Sequence, residues 1–321
     1  MPKNHKLIPV YVFTGRGLSP MRNRILGVMV FVLMWGPLLT AHAGYADQAG
    51  AVVSPQWLKE HLGDKKIKII EMSDPSSFEF EGHIPGAVPT GKTFWRYQAK
   101  DGALVHHAPE KLEKMIKGLG INDGDTVVIY YKGQNLNEIL GSYYLYWLFH
   151  YLGYSNVTML DGGWSGWLKA GNPVEETFTE PDRGTFKARP LPALEISTDE
   201  LYAIRENYTV IDGRPRANFE GRDKFPANTR FGRIPGTLNQ PWMDYIQYDK
   251  EGRIFLDMKQ VPAILQGGMI VPGQPLLMTC FGGTGAAINY VYFYNLGYRN
   301  MRLDDAAIRR WNARMLPLIR D

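Results

Sequence analysis

Short apolar runs alternate with amphipathic stretches through most of this chain. Residues 67–71 and 126–131 are dense in β-branched and aromatic side chains and read as buried strands, as does 157–160. Between them, Ser54-Pro55 opens a helix over 56–61, and 109–119 and 140–152 carry helical periodicity. The order recurs further on: helix 198–207, strand 209–212, strand 276–279, helix 286–296, strand 300–303. Strands separated by helices predict an α/β fold of parallel sheets with helices on both faces.

The recurrence is also one of residues. Gly82-His83-Ile84-Pro85-Gly86-Ala87 returns as Gly232-Arg233-Ile234-Pro235-Gly236-Thr237. Leu152-Gly153-Tyr154-Ser155-Asn156-Val157 returns as Leu296-Gly297-Tyr298-Arg299-Asn300-Met301. An acid and a spaced aromatic follow each copy, Asp161 with Trp167 and Asp305 with Trp311. Order and spacing are both kept, so one domain is duplicated. The expected units are residues 51–174 and 193–321, joined by a linker at 175–192 rich in Pro, Glu, Thr and Arg.

Charge changes the picture only at the beginning. The formal charge of +4 owes five basic residues to the first 43, which hold no acid; the remainder has 31 basic against 32 acidic residues. A near-neutral body excludes a nucleic-acid partner on electrostatic grounds. The beginning itself reads as an export signal, residues 1–43. Arg22 and Arg24 precede an apolar run from Ile25 to Trp35, Gly36-Pro37 breaks it, and Ala41-His42-Ala43 is a small-x-small cleavage site. The run is short for a membrane span, so a periplasmic protein with no stable membrane association after cleavage is expected. Met21 is a second candidate start.

The candidate chemistry sits in the second copy. Cys280 is the single cysteine in 321 residues, which excludes an internal disulfide. It follows the strand 276–279 and precedes Gly282, Gly283 and Gly285 and a helix. Backbone N–H groups there can converge on one anion, and the helix dipole adds to their field. Such surroundings are expected to lower the thiol pKa and make the thiolate a nucleophile. Glycines let the loop curl with positive φ. Ala286 and Ala287 stand where a phosphate-binding cysteine loop needs an arginine, so phosphatase chemistry is excluded. His106-His107 without neighbouring cysteines does not make a zinc site, and the glycines spell no dinucleotide fingerprint; no metal or cofactor is called for.

The paired Ile-Pro-Gly turns, the Leu-Gly-Tyr segments, Asp161-Gly162-Gly163-Trp164 and the strand–Cys280–loop–helix together resemble the tandem rhodanese-type sulfurtransferases, from about Val53 to Leu316. The resemblance implies a cysteine in the second domain only, and the first-copy equivalent falls near Tyr131, in Tyr130-Tyr131-Lys132-Gly133. It implies that Cys280 takes a sulfane sulfur from a donor such as thiosulfate, mercaptopyruvate, polysulfide or a persulfide, and passes it to a thiol or cyanide. By the family's Asp-x-Arg pattern, Asp212-Gly213-Arg214 places Arg214 at the donor, with Arg222 as a second arginine. Phe281, Gly282, Gly283, Thr284 and Gly285 complete the expected binding loop. Phe281 and Gly282 stand where many members carry cations or small residues, which questions thiosulfate as donor. A non-catalytic sulfur or selenium carrier, or a partner-binding module, is the alternative. Trp242 can wall the pocket, and His83 is structural.

Overall fold

A computed structural model describes residues 50–224, 230–270 and 273–320. The expected export signal lies outside them. The first half contributes strands β1 (Val52–Val53), β2 (Ile67–Met72), β3 (Ala87–Thr90), β4 (Arg96–Gln98), β5 (Leu104–His106), β6 (Thr126–Tyr131) and β7 (Val157–Leu160). The second contributes β8 (Thr209–Asp212), β9 (Thr237–Asn239), β10 (Ile246–Tyr248), β11 (Ile254–Leu256), β12 (Leu276–Thr279) and β13 (Met301–Leu303). β1-β7-β6-β2-β3 form one parallel sheet and β13-β12-β8-β9 another. Helices cover both, so the α/β architecture read from the strand–helix alternation is what the chain adopts.

The registers repeat as the sequence does. Met72 sits opposite Tyr131 in the first sheet, and Asp212 opposite Thr279 in the second. The residue leaving the strand is therefore Lys132 in the first half and Cys280 in the second.

Two helices join the halves. Leu136–Tyr151 and Thr284–Asn295 are apolar nearly all round and pack against each other between the sheets. A helix without a polar face must be buried on every side. Leu145, Leu148, Phe149, Ile288, Val291 and Phe293 are all fully buried there, each contributing roughly 1.5–3 kcal/mol relative to exposure. Both helices begin earlier than the periodicity predicts. Asn135 caps the first by accepting from the N–H groups of Asn137 and Glu138. The second starts at Thr284 after Gly283 at φ +80°. The segment 198–207 is an α-helix only to Ile204, tightening into a 3-10 turn over Arg205–Asn207.

The patterning did not reveal two antiparallel hairpins. β4 pairs with β5 and β10 with β11, each three residues long and set apart from the main sheets. Each leans on the other half. Asp305 accepts hydrogen bonds from Arg96 Nη2 at 2.9 Å and the His106 N–H at 2.8 Å, and the Ile254 N–H donates to Gly133 O at 2.7 Å.

Candidate functional site

Cys280 lies at the foot of a cavity of about 400 Å³ between the halves, with 2 % of its surface exposed. The parallel strand β12 delivers it, and the loop turns at once into a helix. N–H groups of Gly282, Gly285 and Ala286 are directed at its sulfur. The loop holds this curl because its glycines admit close neighbours. A methyl group on Gly283 would stand 2.7 Å from Asp305 Oδ1, and one on Gly285 would stand 2.6 Å from the Trp242 ring. Trp242 thus walls the cavity, joined by Met243, Leu136, Leu140 and Pro215.

Of the residues expected at the site, Cys280, Phe281, Gly282, Thr284 and Gly285 line the cavity together. Gly283 does not; it faces Asp305. Neither expected arginine is among the lining residues. Arg214 is buried, with Nε and Nη2 on the Asp212 carboxylate at 3.0 and 2.7 Å and Nη1 on Gly232 O at 3.1 Å. Two residues along from the strand's last carboxylate, the guanidinium folds back onto that partner rather than outward. Its carbon stands 5.8 Å from the Phe281 ring centroid, so it underpins the loop from beneath. Arg222 is exposed and its Nε donates to Glu220 Oε2 at 2.6 Å.

The expectation of a lowered thiol pKa is overturned as well. Burial pushes Cys280 up, and Asp212 adds to the rise. The three loop amides act in the other direction without overcoming the loss of water.

Sequence reasoning missed the cations. Among the described residues, Lys92, Arg96, Lys224 and Arg309 line the cavity with a single acid, Asp223. Lys92 and Arg96 come from the first half, which no motif around Cys280 could reveal. Lys92, Arg96 and Arg309 each interact electrostatically with Cys280. Arg96 lies 4.5 Å over the Tyr144 ring and pairs with Asp305.

In the first half, the matching position is closed. Lys132 is buried, donates to Gly82 O, sits 3.9 Å from Glu71 Oε1 and lies 4.0 Å over the Trp164 ring. A methyl group on Gly133 would stand 2.2 Å from Ile254 O, so the β10–β11 hairpin seals that loop. His83 is buried and stacks on Phe78 with centroids 4.0 Å apart, a packing role as expected. His106, Glu195 and Asp305 bring ligand-type atoms within 4.8 Å of one another. The Asp305 oxygens there already accept from Arg96, Tyr144 and the His106 N–H, and the guanidinium opposes a cation. Among the described residues, no helix is long and apolar enough to cross a membrane.

Comparison with known proteins agrees with this fold. A family profile described as the Rhodanese-like domain matches residues 54–170. The 3-mercaptopyruvate sulfurtransferase of Escherichia coli is 30% identical over 279 residues, spanning 82% of this chain and 95% of its own. The thiosulfate sulfurtransferase of Mus musculus is 26% identical, over 83% of this chain and 93% of its own. The solved structure of SseA, a 3-mercaptopyruvate sulfotransferase from Escherichia coli, superposes with a TM-score of 0.67 at 27% identity. That match covers 80% of this chain and 98% of the other.

Proposed function

The chain belongs to the rhodanese family and is a sulfurtransferase, and on that footing we propose that it moves a sulfane sulfur from a small anionic donor to a thiophilic acceptor through a persulfide on Cys280. The observation that carries this reading is a lone thiol at the foot of a cavity, with three amides on its sulfur and cations around it. With thiosulfate, the thiolate attacks the outer sulfur, a new S–S bond forms, and the old one breaks with its electron pair leaving as sulfite. Charge balances on both sides and no outside oxidant is needed. Loop amides suit both the thiolate and the persulfide, because they are fixed dipoles that need not reorganise. The acceptor, cyanide or a thiol, then removes the outer sulfur and restores the thiolate.

Phe281, Gly282, Thr284 and Gly285 shape the pocket in this reading, and Gly283 sets the loop's curl. Mass spectrometry after incubation with thiosulfate or polysulfide tests it: Cys280 gains the mass of one sulfur atom and loses it to cyanide. An unmodified thiol with every donor overturns the reading. The chain is exported and cleaved after Ala43, a reading supported by the charged, apolar and small-residue order of its beginning. Amino-terminal sequencing of periplasmic protein then starts at Gly44; intact Met1 or Met21 in membranes overturns it.

A further inference from the structure

An anionic donor needs a counter-charge, and the segment from Cys280 to Val291 carries no cation. The cations lining the cavity differ in what they already hold. Arg96 is committed to Asp305 and Leu104 O. Lys224 stands beside the lining acid Asp223, and its ammonium lies 5.3 Å over the Phe231 ring. Lys92 gives one of its three ammonium protons to Asn137 Oδ1 at 3.0 Å. That partner is a neutral amide, so the charge of Lys92 is not cancelled, and two N–H bonds remain for a ligand.

The backbone holds Lys92 where it is. It opens a 3-10 turn, Lys92–Trp95, whose Trp95 is fully buried. The turn packs against the Leu136–Tyr151 helix at Gly141, where a methyl group would stand 2.9 Å from Lys92 Cβ. A glycine in mid-helix is less favourable than alanine, and here it admits the lysine backbone to the cavity wall. Across the loop, Gly282 leaves its open side to Arg309. A methyl group there would stand 3.5 Å from Arg309 Nε.

We infer that Lys92, carried by the first half of the chain, seats the anionic end of the sulfur donor against Cys280 in the second, with Arg309 on the far side of the loop. The inference rests on the Cys280 reading above and adds a residue and a ligand class to it: a small anionic donor whose sulfane sulfur is bonded to an oxidised sulfur, which leaves with the bonding electron pair as sulfite or a sulfinate. Burial brings Lys92 down to about 8; Arg96 and Arg309 press the same way and Cys280 opposes them. The seat is therefore charged at pH 7 and loses its charge as pH rises through about 8.

Alkylation reads the seat without any sulfur chemistry. Iodoacetate and iodoacetamide both form an S–C bond at the thiolate and expel iodide, and only the first is an anion. Their rate ratio cancels the thiolate fraction and leaves the attraction for negative charge. Lys92→Met is expected to lower the iodoacetate-to-iodoacetamide ratio about tenfold, the loss expected for one charge-assisted hydrogen bond, and Lys92→Arg to recover most of it. In the parent the same ratio falls as pH climbs past about 8, which serves if Lys92→Met does not fold. An unchanged ratio in a folded Lys92→Met, or a flat parent ratio from pH 6 to 10, overturns the seat. A parent that shows the ratio but takes no sulfur from any donor overturns the transferase mechanism instead.

Discussion

Arg214 has a structural task that its sequence position disguises. It neutralises Asp212, which is itself fully buried, and ties the end of β8 to the Gly232 turn. Removing one partner of such a pair leaves an uncompensated buried charge, at a cost of about 3–5 kcal/mol. Arg214→Ala is therefore expected to lower the melting temperature on the order of 10 °C. Arg214→Lys should recover only part, since an ammonium cannot match the two-pronged contact. Calorimetry of both variants checks this; an unchanged melting temperature with a raised KM for the donor would return Arg214 to the site. The sequence places Arg214 near Cys280 correctly, at the carboxyl end of the neighbouring strand. What it cannot convey is which way a guanidinium turns when a carboxylate lies two residues behind it. The same limit applies to the thiol. Loop amides are legible from glycines before a helix, whereas the burial that outweighs them is set by the fold as a whole, in a cavity that Trp242 and Leu140 from distant segments also line.

Among the elements, the strands were the most legible. β6, β7, β8 and β12 begin and end where the apolar and β-branched runs predict. The hairpins β4–β5 and β10–β11 were not, because three-residue strands carry too few positions for a period to register. The pair of central helices makes a prediction of its own. His150, on the Leu136–Tyr151 helix, faces Tyr290 on the other, with Nδ1 3.0 Å from the phenolic oxygen. Burial, aided by Arg299, drives its pKa from 6.5 down to about 3. The folded protein thus resists a proton that the unfolded chain accepts. Its stabilising contribution is complete above pH 6.5 and drains away as pH falls from there towards 3, by up to about 1.4 kcal/mol per unit. His150→Phe should flatten that part of the profile, as measured by urea unfolding at pH 7, 6 and 5. A slope equal to the parent's would show that the acid sensitivity lies elsewhere.

Across the whole molecule, each half completes the other. The β4–β5 hairpin braces Asp305, which presses on Gly283 in the Cys280 loop, while the β10–β11 hairpin bears on Gly133. The duplication was legible because turns and loops repeat as residues. The exchange of hairpins was not, since it depends on how two copies are docked.

The sealed loop at Lys132 fixes a stoichiometry. Under the proposed mechanism, a chain with two copies of one fold offers a single landing place for sulfur, because the matching position is filled by Lys132, held between Glu71 and Trp164, and the next residue, Gly133, is roofed by Ile254 O. Fully loaded protein treated with excess cyanide should release one thiocyanate per chain. Lys132→Cys should not raise that number to two: the new thiol would lie under the hairpin backbone, out of reach of donor and acceptor alike, and Glu71 would lose its cation. A second equivalent of thiocyanate from that variant would mean that the hairpin lifts, and that the silent copy lacks a nucleophile rather than an entrance.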